Sequence, residues 1–347
     1  MNSSCSLCGK KDPPLKCSVC KVAFYCGRKC QVADYDEHKS TCRIVKKTLA
    51  DVEKAEKSVS AEFARDGVDV FRDQVGHFWR LVETRPYMRR RHDHLSLLAE
   101  IDTYPAIQEA LVQGRDMLRL CRGDNMGVRK RMIPLFLRLG TFKGMQDCYD
   151  FVKWWYTCDP DGRYDWANTS LPYLNISGAN MLEPLYSQLV GKYGDLHYSV
   201  GVTVIKMQLL FQLNEFFAQL NSLFLSTMAT TSFVHKFRGN QGILGTLVAF
   251  LRPSYSCFSN KCVTQLRTLQ ETLSQQVHIL LEHAEIHQNQ RIWKALANPA
   301  KVLRAPMPSY MSFGSAEEVI EVVTLFLRSS LCVEEKPEGY VRCWWTE

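Results

Sequence analysis

The sequence predicts a small cysteine-rich module at the N-terminus, followed by an all-α body that is partly repeat-like. Eight cysteine and histidine residues fall in the first 42 positions. From residue 47 onward, apolar side chains recur mostly every three or four residues, which is typical of amphipathic helices, and alternating strand patterns of useful length are missing. A hydrophobic content of 46% over 347 residues is enough for one large core or two modest ones.

The N-terminal cysteines and histidine form four chelating pairs. The residues are Cys5, Cys8, Cys17, Cys20, Cys26, Cys30, His38 and Cys42. The first two pairs have C-x2-C spacing, which suits tight knuckles that present two thiolates to one metal ion. The last two pairs are separated by four residues, which places both members on one face of a helix. The spacing predicts two knuckles, two short helices and two tetrahedral zinc ions.

The spacing leaves the assignment of ligands to zinc ions open. It allows a sequential arrangement, with the first four ligands on one ion, or an interleaved one, with alternate pairs on each ion. A disulfide framework is the other explanation for so many cysteines. Seven cysteines is an odd number, and no apolar stretch that could act as a secretion signal follows Met1. We therefore predict zinc, and a structural role for it, because no coordination position is left open for water.

The residues around the ligands resemble the MYND-type zinc finger. The resemblance rests on Tyr25-Cys26, Cys30-Gln31, an aromatic residue at position 35, His38-Lys39 and Cys42. It implies a cross-braced module that binds proline-containing peptides. It also implies the interleaved ligand sets, which are Cys5, Cys8, Cys26 and Cys30 on one zinc and Cys17, Cys20, His38 and Cys42 on the other. Tyr35 stands where this family usually has tryptophan.

A peptide-binding surface is predicted on the finger. Gln31, Tyr35 and Lys39 follow one another at helical-turn spacing, so they can form an exposed wall beside the second knuckle. An extended, proline-containing peptide would lie against this wall and add a strand to the segment from Ser18 to Phe24. The alternative is that Tyr35 only covers the zinc core.

The sequence divides into a finger, a connection and a body. The predicted boundaries are 1–46 for the MYND finger, 47–66 for a connecting helix or linker, and 67–347 for the helical body. Within the body we predict a repeat-like part at 86–156, a long loop at 157–184 and a helical C-terminal part at 185–335. We expect the body to fold without the finger, because all the long amphipathic segments lie beyond Asp51.

The body contains two helix pairs that resemble tetratricopeptide-type repeats. The predicted helices are 86–101 with 105–121, and 127–139 with 144–156. Two segments of this region are similar to a group of mainly fungal proteins that join a MYND finger to a helical body. They are residues 120–125 and residues 147–155.

Four further segments carry helical patterns. Val68, Phe71, Val75, Phe78 and Val82 follow a three-four alternation. The apolar stretch from Val200 to Met228 includes Lys206, so we interpret it as a buried helix and predict no membrane span. The last two patterns are Leu266, Leu269, Leu273, Leu280 and Ala284, and the capping box of Ser315 and Glu318.

Charge does not demand a nucleic-acid partner. Seven zinc-bound thiolates and two zinc ions would change the formal charge of +7 to +4, which is weakly basic. Arg85, Arg89, Arg90 and Arg91 form a basic cluster that we interpret as solvated or paired with acids. A nucleic-acid-associated regulator stays as an alternative. The remaining seven cysteines are scattered, which favours a reducing, intracellular compartment.

We expect no enzymatic activity. MYND fingers also occur within SET-type protein lysine methyltransferases, but here the finger starts at residue 5 and leaves no room for a preceding catalytic segment. His283 and His287 lie one helical turn apart, yet Ala284 replaces the glutamate of the metalloprotease pattern. The sequence therefore predicts a zinc-binding protein-interaction or adaptor protein with the methyltransferase-like enzyme as an alternative. It indicates no oligomeric state.

Overall fold

The structure is a computed structural model that describes residues 4–159, 162–190, 195–225 and 260–287. Its N-terminal part is a two-stranded antiparallel hairpin of β1 (Leu15–Lys16) and β2 (Phe24–Tyr25). Two helices follow, α1 (Arg28–Ala33) and α2 (Tyr35–Ala64). The first is short, as predicted. The second has 30 residues and runs without interruption across the predicted finger boundary at 46 and through most of the predicted connecting segment.

Helix α2 is long because it has an apolar stripe to bury. Val45, Val52 and Val59 repeat every seven residues and are all buried. This spacing keeps them on one face, and α2 packs against α4 (Arg85–Glu100). A hydrogen bond of 2.8 Å joins Thr48 Oγ1 on α2 to His94 Nδ1 on α4. The last helix of the finger is therefore also a core helix of the body.

A second connection leads directly from the zinc-binding loops to the body. Thr103 precedes α5 (Tyr104–Leu120), and its hydroxyl donates a 2.6 Å hydrogen bond to the carbonyl of Val22. The same hydroxyl accepts from the amide of Ala106 and so caps α5. Because the finger and the body share a helix and this hydrogen bond, we expect them to unfold together, in contrast to the expectation from the sequence.

The helices of the repeat-like part lie close to their predicted positions. After α4 and α5 come α6 (Val128–Arg138) and α7 (Phe142–Cys158), and consecutive helices pack against each other. Thr141 caps α7 by accepting a 3.0 Å hydrogen bond from the amide of Gly144. Helix α6 continues through Pro134. The mostly helical fold is confirmed, while the tetratricopeptide resemblance stays a prediction.

The prediction of a continuous helix across Val68 to Val82 is wrong. The segment contains only α3 (Val70–Asp73) and two 3-10 turns, Phe78–Arg80 and Val82–Thr84. Gly76 interrupts the helix because its φ is +88°, a conformation that L side chains rarely adopt. A Cβ at this position would also lie 3.0 Å from Thr169 Cγ2.

In the described residues 162–190 that follow α7, the chain forms turns and bends and is bonded to the helices. Arg122 donates to the carbonyls of Asn168, Thr169 and Leu171. The carboxylate of Asp150 accepts from the amides of Gly178 and Ala179, at 2.9 and 2.8 Å. These charge-assisted hydrogen bonds hold an irregular segment against the body.

Two long helices complete the described residues. They are α8 (Leu196–Leu225) and α9 (Asn260–His287). Lys206 on α8 is fully buried and donates to the carbonyls of Met181 and Glu183, both at 2.7 Å. Among the described helices, none is both long enough and apolar enough to cross a bilayer. The Ser315 capping box lies outside the described residues.

Removal of zinc should destabilise the helical body. If α2 loses its metal-held N-terminal part, the packing of its valine stripe weakens, and we expect the body to melt at least about 5 °C lower in EDTA. The measurement is thermal unfolding by circular dichroism at 222 nm. EDTA already saturated with zinc is the control. An unchanged helical transition after complete zinc removal would show that the body is independent of the finger.

Burial of His94 should make stability depend on pH. Burial lowers the pKa of His94 below its usual value of 6.5, and Arg91 lowers it further, although Glu109 opposes the shift. The unfolded chain then binds a proton that the folded chain does not, so the free energy of unfolding falls as the pH drops through about 6.5. We expect His94→Gln to flatten the pH dependence of the urea midpoint between about pH 7 and 5. Parallel curves for both proteins would contradict this origin.

Candidate metal centre

Four cysteines from three parts of the finger meet at the first site. Their Sγ atoms, from Cys5, Cys8, Cys26 and Cys30, lie within 4.8 Å of one another. Cys5 and Cys8 belong to the first knuckle, Cys26 follows β2, and Cys30 lies on α1. The amide of Ser6 donates a 2.8 Å hydrogen bond to the carbonyl of Phe24, which fixes the knuckle beside β2. The site is one-sided, since Cys5 is buried and Cys8 is exposed.

The second site joins the second knuckle to α2. Its ligand atoms come from Cys17, Cys20, His38 and Cys42, and they too lie within 4.8 Å of one another. Cys17 and Cys20 are buried in the turn between β1 and β2. The amide of Cys17 donates a 2.9 Å hydrogen bond to the carbonyl of Ala23, which closes this turn.

The distances fit two tetrahedral zinc ions. With a Zn–S bond of about 2.3 Å, two sulfurs in a tetrahedron are about 3.8 Å apart, and a sulfur and an imidazole nitrogen about 3.5 Å. The first site has Sγ–Sγ distances of 3.6 Å (Cys8–Cys26), 3.3 Å (Cys26–Cys30) and 3.9 Å (Cys8–Cys30). The second has 3.8 Å between the Sγ atoms of Cys17 and Cys42, and 3.3 Å from Cys20 Sγ to His38 Nε2.

The pKa values of the ligand thiols also indicate that a divalent cation binds at each site. Burial opposes ionisation of Cys5 and Cys17, but hydrogen bonds from knuckle amides outweigh it and lower the pKa of each thiol to about 6. Burial raises the pKa of Cys20 to about 12, and the neighbouring thiols Cys17 and Cys42 add to the shift. Several thiolates in one small space repel one another. A zinc ion removes this repulsion and allows every sulfur to be deprotonated.

The grouping is interleaved. Spacing alone left the sequential and interleaved arrangements open, and the resemblance to the MYND finger implied the interleaved one. The hairpin explains it physically, because antiparallel pairing of β1 with β2 carries the chain back past the first knuckle before the helices begin. The first four ligands and the last four ligands each contribute two residues to each site. Each zinc ion therefore connects a knuckle to a helical ligand pair.

Tyr25 is a structural residue of the site, whereas the sequence analysis used it only as part of the family resemblance. It is completely buried, and its hydroxyl donates a 2.8 Å hydrogen bond to Asp34 Oδ2, between α1 and α2. Its ring meets the His38 imidazole edge-on, with centroids 6.1 Å apart. Burial, reinforced by Asp34, raises the pKa of Tyr25, so it stays neutral. The available signal was its position in the sequence, directly before the ligand Cys26.

The three predicted peptide-binding residues are at or near the surface. Tyr35 is 62% exposed, whereas the buried aromatic ring in contact with the ligand His38 is that of Tyr25. Lys39 Nζ lies 5.9 Å from the centroid of the Tyr35 ring and 2.6 Å from Asp36 Oδ1. Gln31 is half-buried and accepts a 2.8 Å hydrogen bond from Arg28.

The wall is divided between two helices, and the predicted strand position is partly occupied. Gln31 belongs to α1, whereas Tyr35 and Lys39 belong to α2. In the segment from Ser18 to Phe24, three carbonyls already accept hydrogen bonds. They are those of Val22, Ala23 and Phe24, with Thr103, Cys17 and Ser6 as the respective donors. Residues 18–21 form the turn of the second knuckle, and the amide of Lys21 donates a 3.0 Å hydrogen bond to the carbonyl of Cys17, so the added peptide strand stays a prediction.

The arginine cluster on α4 has structural partners. Arg91 is buried and donates to Asp116 Oδ2 at 2.9 Å, and Arg90 lies 3.5 Å from Asp93 Oδ2. The guanidinium groups of Arg85 and Arg89 lie 5.4 and 6.0 Å from the ring centroid of Trp79. The side chains of His283 and His287 lie outside those that the structure describes.

Purified protein should contain two zinc ions per chain, and loss of one ligand should affect both. His38→Ala opens the second site, and it also removes the imidazole that the buried Tyr25 ring meets edge-on. We expect fewer than about one zinc per chain in this variant, since metal binding supplies on the order of 10 kcal/mol of the finger's folding free energy per ion. The measurement is elemental analysis with a thiol titration. His77→Ala, outside the finger, is the control. A variant that retains one full equivalent would show that the two sites are independent.

Comparison with known proteins supports the same interpretation. The family model described as MYND finger matches residues 5–42, which are the first and last of the eight ligands. No solved structure matches the chain. The two interleaved centres and this match cover the same residues. Residues 5–42 are a MYND finger, a zinc-binding protein-interaction module.

Proposed function

We propose that this protein is a non-catalytic adaptor whose finger captures a proline-containing peptide at Gln31, Tyr35 and Lys39, while the helical body offers a second interaction surface. The observation that carries the proposal is the exposure of apolar groups on a framework held by zinc. Tyr35 is 62% exposed and Val32 is 60% exposed. These side chains are available to a partner, and they stand on helices whose positions two metal centres fix.

Each group of the wall has a chemical role in peptide capture. The Tyr35 ring offers a flat apolar face on which a proline ring packs, and Lys39 beside it keeps the rim polar. The amide of Gln31 can bond the peptide backbone, because peptide groups present both donors and acceptors. A proline-rich segment is extended before it binds, so it loses little conformational entropy.

The proposed function is non-catalytic because protein ligands fill the coordination sphere of both metal sites. Each site supplies four protein ligands to one ion, which leaves no position for an activated water or a substrate. Between residues 67 and 159 the described body consists of helices, turns and one isolated bridge, His77 to Cys121, whereas the methyltransferase alternative has a β-rich catalytic domain. The exposed valines Val82 and Val112, 64% and 59% exposed, support a second binding surface on the body.

The proposal is tested by peptide binding to the full-length zinc protein. We expect a proline-leucine-proline peptide to bind with a Kd on the order of 10 μM, because the surface is small. The double variant Gln31→Ala with Tyr35→Ala should weaken binding at least about tenfold through loss of the ring and the amide. The measurement is fluorescence anisotropy of labelled peptides.

A matched control separates the site from the general surface. Ile44 lies on α2, is 49% exposed, and is nine residues after Tyr35, which places it on the opposite face of the helix. Ile44→Ala should leave peptide affinity unchanged. If the Gln31/Tyr35 variant keeps its zinc content and binds every peptide as the wild type does, the proposed site is wrong.

A further inference from the structure

The finger carries its charges in two separate regions. Residues 4–30 contain six basic side chains and one acidic side chain, Asp12. The basic ones are all exposed: Lys10, Lys11, Lys16, Lys21, Arg28 and Lys29. Residues 31–42 have the opposite balance, with Asp34, Asp36 and Glu37 against Lys39. The knuckles and α1 are therefore the basic end of the finger, and the start of α2 is its acidic end.

The basic side chains are held in place by the metal centres. Lys16 directly precedes the ligand Cys17, Lys21 directly follows Cys20, and Lys29 directly precedes Cys30. The ammonium group of Lys16 lies 5.6 Å from the ring centroid of Phe24 on β2. In the part of the chain that the structure describes, no ion pair within 4.0 Å involves any of these three lysines.

The zinc centres do not cancel this charge. Four thiolates on a zinc dication leave a charge of −2, and three thiolates with a neutral histidine leave −1, so a surplus of positive charge stays on residues 4–30. The thiolates of Cys5 and Cys17 are stabilised locally by knuckle amides, while the ammonium groups project from exposed positions. On the acidic end, Lys39 binds Asp36 at 2.6 Å.

The basic end also reaches the proposed peptide wall. Arg28 Nη1 donates a 2.8 Å hydrogen bond to Gln31 Oε1, so a guanidinium lies beside one of the three wall residues. At the other end of the wall, Glu37 follows Asp36 on α2. A peptide that runs along the wall from the knuckles towards α2 thus passes from a positive to a negative environment.

From this asymmetry we infer that the partner of the finger is a proline-containing peptide with acidic residues on one flank only, the flank that lies over the zinc knuckles. This inference rests on the proposed function and specifies its partner. Acidic groups on that flank meet the exposed ammonium groups of the basic end, and on the other flank they meet Asp36 and Glu37. Complementary charge raises the association rate and selects the direction of binding.

The test uses four peptides with one proline-leucine-proline core and the full-length zinc protein. They carry two aspartates before the core, two after it, two on both sides, or none. We expect one flank to raise affinity roughly five- to tenfold at 50 mM salt and the opposite flank to change it less than about twofold. At 500 mM salt the gain should disappear.

Charge-reversal variants locate the effect. Lys16→Glu with Lys29→Glu should abolish the gain from the acidic flank and leave the affinity of the uncharged peptide within about twofold. Lys46→Glu with Lys47→Glu is the matched control, with the same change of charge at exposed positions of α2 beyond the finger. Zinc content verifies that each variant is folded, and the salt dependence of the wild type tests the inference without any variant.

The outcomes separate this inference from the proposed function. If none of the four peptides binds, the proposed function is wrong and the inference falls with it. If the uncharged peptide binds and acidic flanks give equal gains or none, only the inference is wrong. A uridine oligonucleotide and the unlabelled peptide are compared as competitors of the labelled acidic peptide. If the oligonucleotide displaces it at a lower concentration than the unlabelled peptide does, the basic end is a nucleic-acid surface and the inference is overturned.

Discussion

Coordination of zinc by one end of α2 is the interaction on which the described structure depends. His38 and Cys42 lie in the first turns of this helix, and the buried valines of the same helix begin three residues later, at Val45. A short zinc module has too few apolar residues to form a core, so the metal bonds replace it. Because the helix does not end at the finger, the order that zinc imposes extends into the packing of the body.

This shared helix changes what the finger can do as a binding module. A finger on a flexible linker would present its surface in every direction, whereas here Tyr35 stands on the helix that packs against α4. The hydrogen bond from Thr103 to Val22 fixes the second knuckle as well. A partner bound at the proposed wall would meet the body at a defined position, and contacts with both proposed surfaces would add without the entropic cost of ordering a linker.

The body uses cationic side chains to hold irregular chain segments, and two of them, Lys206 and Arg138, are buried. Arg122 binds three carbonyls of the long loop, Lys206 binds two more, and Arg138 donates to the carbonyls of Ala99 and Ile101 at the end of α4. A carbonyl without a helical partner must find a donor when it is buried. Guanidinium and ammonium groups offer several donors each, so one side chain can bind two or three carbonyls of a segment. This explains how the loop stays ordered with little regular structure.

The sequence by itself determined the local features of this protein. Eight ligands at short spacings required metal, and the three-four periodicity placed α4 to α7 within a few residues, because both depend on neighbours in the chain. Tertiary structure decided the rest. The pairing of β1 with β2 brings Cys5 and Cys8 to Cys26 and Cys30, and that pairing links residues far apart in the sequence. Gly76 interrupts a helix that periodicity predicted, because its φ is +88°, and a Cβ there would lie 3.0 Å from Thr169 of the long loop. The length of α2 likewise could not be predicted from the finger sequence alone, because its valine stripe stabilises the helix only when α4 packs against it.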